Sequence, residues 1–258
     1  MNWSVLILTE LFGTALLIIL GNGIVANVVL KGTKGNNSGF LAITVGWALA
    51  VLTAALIANA FGGVAHFNPA VTIAIAISDK SKNLGFGDYV GLSPVTLFFL
   101  VILIQFIGAM VGQLIVNFVY YKHIKNTLNS LKVEDQSNVL AMHATIPTER
   151  NPLFNFAMEF LGTTVLIVAI LSFGKFANGN GLPNYFAPIL VGTTILAVGL
   201  SLGGTTGYAI NPFRDLAPRV VHSLMPFNNK GTSDWKYSWV PVLAPLLAGV
   251  TVGLLFLI

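Results

Sequence analysis

The sequence predicts an all-α membrane protein with six spanning helices and two re-entrant half-helices, arranged as an inverted repeat. Three observations carry that prediction. Charged residues make up 9% of the 258 residues, against roughly 25% in soluble domains, and mean hydropathy is +0.82. Six apolar runs are long enough to cross a bilayer, which takes about 20 residues. Two more apolar runs are too short to cross, and both open on Asn-Pro.

The first span is expected at Ser4–Val29. It follows "MNWS", which lacks a basic n-region, and its apolar run exceeds the ~7–15 residues of a signal-peptide core, so a spanning helix is expected rather than a cleaved leader. Phe40–Ala60, Val95–Tyr121, Phe154–Phe176, Tyr185–Leu202 and Trp239–Ile258 follow. Turn and interface residues separate them, as in "KGTKGNNSG" and "SDKSKNLGFGD". Lipid offers exposed backbone groups no partner, so each span must be helical.

The short runs are Asn68–Ile77, whose ten residues make about 15 Å of helix, and Asn211 to about Leu224. Asn is a favoured helix cap, and Pro at the first helical position gives up only an amide that would be unpaired anyway. Each Asn-Pro therefore marks a helix start inside an apolar region. The two halves also resemble each other: "ELFGTALLI" (Glu10–Ile18) parallels "EFLGTTVLI" (Glu159–Ile167). The expected organisation is one pore-forming membrane domain over 1–258. Repeat A is 1–121, the polar connection is 122–151, and repeat B is 152–258. An odd number of spans per copy inverts the second copy, and interrupted helices at matching positions point to a site near the midplane.

Composition also excludes classes. There is no cysteine, hence no disulfide framework and no thiolate metal site. The net charge of +4 is small and scattered, which argues against nucleic acid as a partner. No paired carboxylates, nucleophile triad or metal cluster suggests an enzyme, and no cofactor is expected. A secondary transporter also uses broken helices in inverted repeats, but it would need coupling-ion ligands. Glu10 and Glu159 are the acidic candidates within spans.

"GGVAHFNPAVTIAI" and "TGYAINPFRDLAPR", with the paired Glu10 and Glu159, resemble the aquaporin family over essentially the whole chain. Asp215 and "VPVLAP" (Val240–Pro245) resemble its glycerol-conducting branch, the bacterial glycerol uptake facilitators. The resemblance implies one pore per subunit, a homotetramer in the plasma membrane, both termini in the cytoplasm, and passage of glycerol, water and other small neutral solutes. It also implies roles. Asn68, Pro69 and Ala70, with Asn211, Pro212 and Phe213, would form the half-helix starts, the two Asn amides donating into the pore. Arg214, Tyr208 and Gly199 would line the selectivity filter. Trp47 would be its fourth wall, although by strict family spacing Ala48 falls in that place. Carbonyls around Ala65–His66 and Gly207–Ala209 would provide acceptors, with His66 at the inner vestibule. Glu10 and Glu159 would hold the irregular stretches, and Asp215 would anchor near the filter.

Tyr208 departs in detail, since Phe is typical of glycerol facilitators at that position, and two further features stand out. Phe213 stands where a small Ala is usual, and it is expected to point into the bundle rather than across the pore. In the family orientation Lys80, Lys82 and Lys175 would face inward. Lys31, Lys34, Lys122, Lys125, Lys132, Arg150, Arg219, Lys230 and Lys236 would lie outside, against the positive-inside bias.

Overall fold

In a computed structural model, residues 2–81, 83–86, 91–130, 132–180 and 186–258 are described, residues 175–180 by backbone alone. Among them the chain forms ten helices: α1 (Trp3–Val29), α2 (Phe40–Ala60), α3 (Pro69–Ser78), α4 (Pro94–Val119), α5 (Tyr121–Leu128), α6 (Val133–Ala141), α7 (Pro152–Asn180), α8 (Phe186–Ser201), α9 (Pro212–Leu224) and α10 (Trp239–Leu255). Lys82 and Tyr185, the expected start of the fifth span, lie outside the described residues, as does the Lys175 side chain.

Four helices, α1, α2, α4 and the Pro152–Gly174 part of α7, are long and apolar enough to cross a membrane. α8 and α10 have 16 and 17 residues, about 24–26 Å of helix. These six are the spanning helices, and α3 and α9 are the half-helices. Asn68 caps α3 by accepting from the Ala70 N–H (2.9 Å), and Asn211 caps α9 by accepting from Phe213 and Arg214 (3.0 and 3.2 Å). In both, proline takes the first helical position.

The packing repeats with the inversion. α1 lies against α2 and α4, and α7 against α8 and α10. Each half-helix leans on the last span of the other half: α3 packs on α10, and α9 on α4. Glycine permits the first of these contacts, because a Cβ on Gly249 would sit 2.5 Å from the Ala70 carbonyl oxygen. α2 meets α8, and α3 meets α9, across the pseudo-twofold axis.

The connection 122–151 differs from expectation. It is not merely a polar loop, because α5 and α6 fold within it. Ile124 and Leu128, four apart on one face, and Val139, Leu140 and Met142 are all buried there. That apolar stripe docks the segment onto the bundle, and Lys31 closes it with an ion pair to Asp135 at 2.8 Å.

Candidate functional site

Each half-helix is entered through backbone that ordinary side chains avoid. Ala65 and Phe67 have φ of 56° and 50°, and Tyr208 and Ile210 of 39° and 43°. Such left-handed positions are costly for non-glycine residues and persist only where their surroundings fix them. Here the fixing groups are the two carboxylates. Glu10 accepts from the N–H groups of His66 (2.7 Å) and Phe67 (3.0 Å), and Glu159 from those of Ala209 (3.0 Å) and Ile210 (2.8 Å). Gln105 donates to Glu10 and Thr206 to Glu159, at 2.8 and 2.6 Å. Both carboxylates are fully buried.

This geometry aims the carbonyls. Within a planar trans peptide the N–H and the preceding C=O point in opposite directions. Drawing the His66 and Phe67 amides toward Glu10 turns the Ala65 and His66 carbonyls the other way. Glu159 does the same to the Tyr208 and Ala209 carbonyls. All four residues line a cavity of about 260 Å³.

The two caps are crossed at its centre. The Asn68 amide donates to the Ile210 carbonyl and the Asn211 amide to the Phe67 carbonyl, each at 2.8 Å. An Asn NH₂ carries two hydrogens, so each keeps one for the lumen, and both residues line the cavity. Gly13 and Gly162, each three residues after its glutamate, make room for the residue before each Asn. A Cβ on Gly13 would strike the Phe67 ring at 2.1 Å, and one on Gly162 would lie 3.1 Å from Ile210.

The opposite wall is mostly apolar. On α2 it is a stripe at four-residue intervals, Trp47, Val51, Ala55 and Asn59, about 18 Å along the axis. On α8 it comprises Ala187, Pro188, Val191 and Ile195, with Leu166 and Ile170 from α7.

Trp47, Tyr208 and Arg214 converge at one end. The Arg214 guanidinium carbon lies 4.1 Å from the Trp47 ring centroid, a cation–π contact. Trp47 Nε1, Tyr208 Oη and Arg214 Nη1 have no hydrogen-bond partner among the described residues. Three unpaired polar groups on cavity-lining side chains are unusual in a folded interior. Ala48 does not line the cavity; its carbonyl faces Gly192 on α8.

Gly199 stands differently from expectation. It lies behind the Tyr208 ring, off the lumen, and a Cβ there would be 2.4 Å from Thr44 Cγ2 and 2.9 Å from Tyr208 Cζ. Gly203 faces the same ring, where a Cβ would lie 2.4 Å from Cδ1, and Phe40 meets it edge-on with centroids 6.1 Å apart. Its small size seats the tyrosine. Phe213 turns away from the lumen and packs edge-on against Phe106 of α4, with centroids 5.2 Å apart. His66 lines the cavity, its Nδ1 3.2 Å from Thr72 Oγ1. Gly207, at φ 86°, leads into the second irregular stretch.

Arg219 is not the loop charge that a linear reading suggests. It is fully buried and clamps Asp215 through Nε and Nη2 at 2.8 and 3.0 Å. It also donates to the carbonyls of Ser233 and Thr145. Thr145 returns its N–H and hydroxyl to Asp215 at 2.8 and 2.7 Å. Asp215 is therefore committed to Arg219 and the 145 loop, which leaves the neighbouring Arg214 facing the cavity. The four-residue spacing from Asp215 to Arg219 is the signal that would have revealed the pair.

The family described as "Major intrinsic protein" matches residues 2–256. The chain is 43% identical over 250 residues to glycerol uptake facilitator protein 3 of Lactiplantibacillus plantarum, covering 97% of this chain and 95% of that protein. It is 41% identical over 247 residues to the glycerol uptake facilitator protein of Streptococcus pneumoniae, covering 96% of both. Among solved structures, the aquaglyceroporin from Plasmodium falciparum superposes with a TM-score of 0.79 at 26% identity, covering 99% of this chain and 96% of that one. Given that match along nearly its full length, the chain belongs to the major intrinsic protein family.

Proposed function

We propose that the protein is a passive channel for glycerol and other small neutral solutes, with water, that excludes protons and ions. The observation that carries this reading is the two-sided cavity. One wall presents four inward carbonyls and two Asn amides, the other a mostly apolar stripe of side chains. A polyol has hydroxyls on one edge and C–H groups on the other, and such a wall pair suits it. The carbonyls and amides replace the hydrogen bonds it gives up on leaving water.

Trp47, Tyr208 and Arg214 form the filter, with Gly199 holding the Tyr208 ring in place. The N-termini of α3 and α9 meet at the centre, each carrying roughly half a positive elementary charge. With Arg214 they raise the potential along the path, which opposes cation and proton passage. Glu10 and Glu159 position backbone and carry no proton along the route. The whole chain acts as one pore-forming unit, with 1–121 and 152–258 as its halves and 122–151 between them. A homotetramer in the plasma membrane with both termini cytoplasmic completes the reading, and the names of the relatives support glycerol as a solute.

The test is light scattering from proteoliposomes under a glycerol or water gradient with no ion gradient. Non-saturating flux is expected for both solutes. Flux that requires a proton or sodium gradient would overturn the channel reading in favour of a coupled transporter.

A further inference from the structure

Away from the pore, a second cavity of about 280 Å³ opens on the bundle's outer surface. It is lined by Met110, Leu114, Asn117 and Phe118 of α4, Tyr121 and Ile124 of α5, Val221 and Leu224 of α9, and the Met225–Phe227 segment that follows α9. Along α4 it extends from Met110 to Phe118, about 12 Å, and it continues onto Tyr121 and Ile124 of α5, a reach comparable with one leaflet of a bilayer core about 30 Å thick. Leu114, Phe118 and Leu224 are 55%, 83% and 72% exposed, so its apolar wall faces the surroundings. It lies on the face where α1 and α4 end, since the Lys31 N–H donates to Thr127 of α5 at 3.0 Å.

The rim of this groove is basic. Lys125 is one helical turn beyond Tyr121, and Lys122 adjoins it; both are exposed. Lys230 donates to the Ser223 and Met225 carbonyls at 2.9 and 2.5 Å, which places a third ammonium at the other lip. The framing segments, 121–132 and 221–233, contain no Asp or Glu. Among the described residues, no ion pair engages Lys122 or Lys125. The Tyr121 and Phe227 rings, 5.8 Å apart, close the groove beneath that rim.

We infer that this groove binds an anionic glycerophospholipid, with an acyl chain along α4 between Met110 and Phe118 and the headgroup phosphate on Lys122 and Lys125. An apolar slot one leaflet deep, ending in unpaired ammonium groups, matches the two ends of such a lipid. Neither a neutral lipid nor a soluble anion matches both. The cationic excess on this face then has a partner, which a reading of the pore alone does not supply. The inference is independent of which solute the pore conducts.

Native mass spectrometry of the purified full-length protein tests it, after exchange into mixed phosphatidylglycerol and phosphatidylcholine. Retention should favour phosphatidylglycerol, and the double substitution Lys122→Gln/Lys125→Gln should cut that preference about 25-fold, at about fivefold per lysine near the membrane surface. Leu114→Trp, which fills the slot, should abolish retention of both lipids while glycerol flux persists. Equal retention of the two lipids, or a preference unchanged in the lysine variant, overturns the inference. So does competition by inorganic phosphate, which has the charge without the chain. The chain lacks cysteine, so Phe118→Cys supplies a unique thiol. Disulfide-linked pairs of chains in liposomes would assign the groove to a second copy and also overturn the inference.

Discussion

Gly199→Ala is the smallest change that tests how the filter is built. The added Cβ would lie 2.9 Å from Tyr208 Cζ and 2.4 Å from Thr44 Cγ2. Ordinary contact begins near 3.4 Å, so the tyrosine ring must retreat by about 0.5 Å and the threonine methyl by about 1 Å. Thr44 has little freedom: it is fully buried, and its hydroxyl is bonded to the Phe40 carbonyl at 2.9 Å. Behind the tyrosine, Gly203 and Phe40 block retreat. The ring must therefore shift toward Arg214 and the lumen. Overpacking of this kind costs about 1–3 kcal/mol, and a barrier raised by 1.4 kcal/mol slows passage about tenfold. Glycerol, broader than water, should bear most of that penalty. Stopped-flow measurement on one proteoliposome preparation should show glycerol flux falling about tenfold and water flux by less than threefold. Tyr208→Leu added to Gly199→Ala should restore glycerol. Equal loss of both solutes, or no loss, would show that Gly199 does not seat the tyrosine.

Three other perturbations separate the remaining roles. Glu159→Gln substitutes an NH₂ for one of the oxygens that accept from Ala209 and Ile210. One buried amide then loses its acceptor at a cost of about 1–3 kcal/mol, so a lower melting temperature and lower flux are expected at every pH; a changed pH profile with unchanged stability would instead mark a proton relay. Arg219→Leu should destabilise by about 3–5 kcal/mol, because Asp215 is left buried and charged. The double variant with Asp215→Asn should recover part of that loss in thermal melts, and additive losses would mean the two residues are not coupled. Phe213→Ala should cost about 2 kcal/mol, below the full core value because the ring is only half-buried, and should leave glycerol flux within twofold. A large gain in flux would show that the ring obstructs the path.

What the sequence revealed depended on whether the controlling interaction was local. A helix start needs only its cap and its first residue, so both Asn-Pro half-helices could be placed from a few adjacent letters. The parallel between "ELFG" and "EFLG" was similarly visible, and its physical content is now explicit: a carboxylate that gathers two amides, and a glycine that admits the residue before each Asn. Spacing to Asn68 left Trp47 and Ala48 in competition, because residue counts through irregular backbone carry no direction. In the structure Arg214 lies over the Trp47 ring, and Trp47 rather than Ala48 lines the cavity.

Non-local relations were the ones lost. Gly199 could be matched to a filter position, but its neighbour across the wall is Thr44, 155 positions away, and linear spacing does not show that a tyrosine fills the space between. At the level of sequence Arg219 counts with the loop charges, although it falls inside the α9 stretch, because a charge in linear order does not reveal what surrounds it. Its pairing with Asp215 is local, one helical turn away, but the Thr145 and Ser233 carbonyls that complete its surroundings lie on other segments and are assembled only by tertiary structure. Phe213 shows why a departure from a family pattern need not disable a site. The position tolerates a ring because α9 packs on α4, where Phe106 offers an edge-on partner away from the lumen. The same interlock that sends each half-helix to the opposite repeat thus gives the aromatic residue somewhere to go, on Phe106 rather than among the residues that line the cavity.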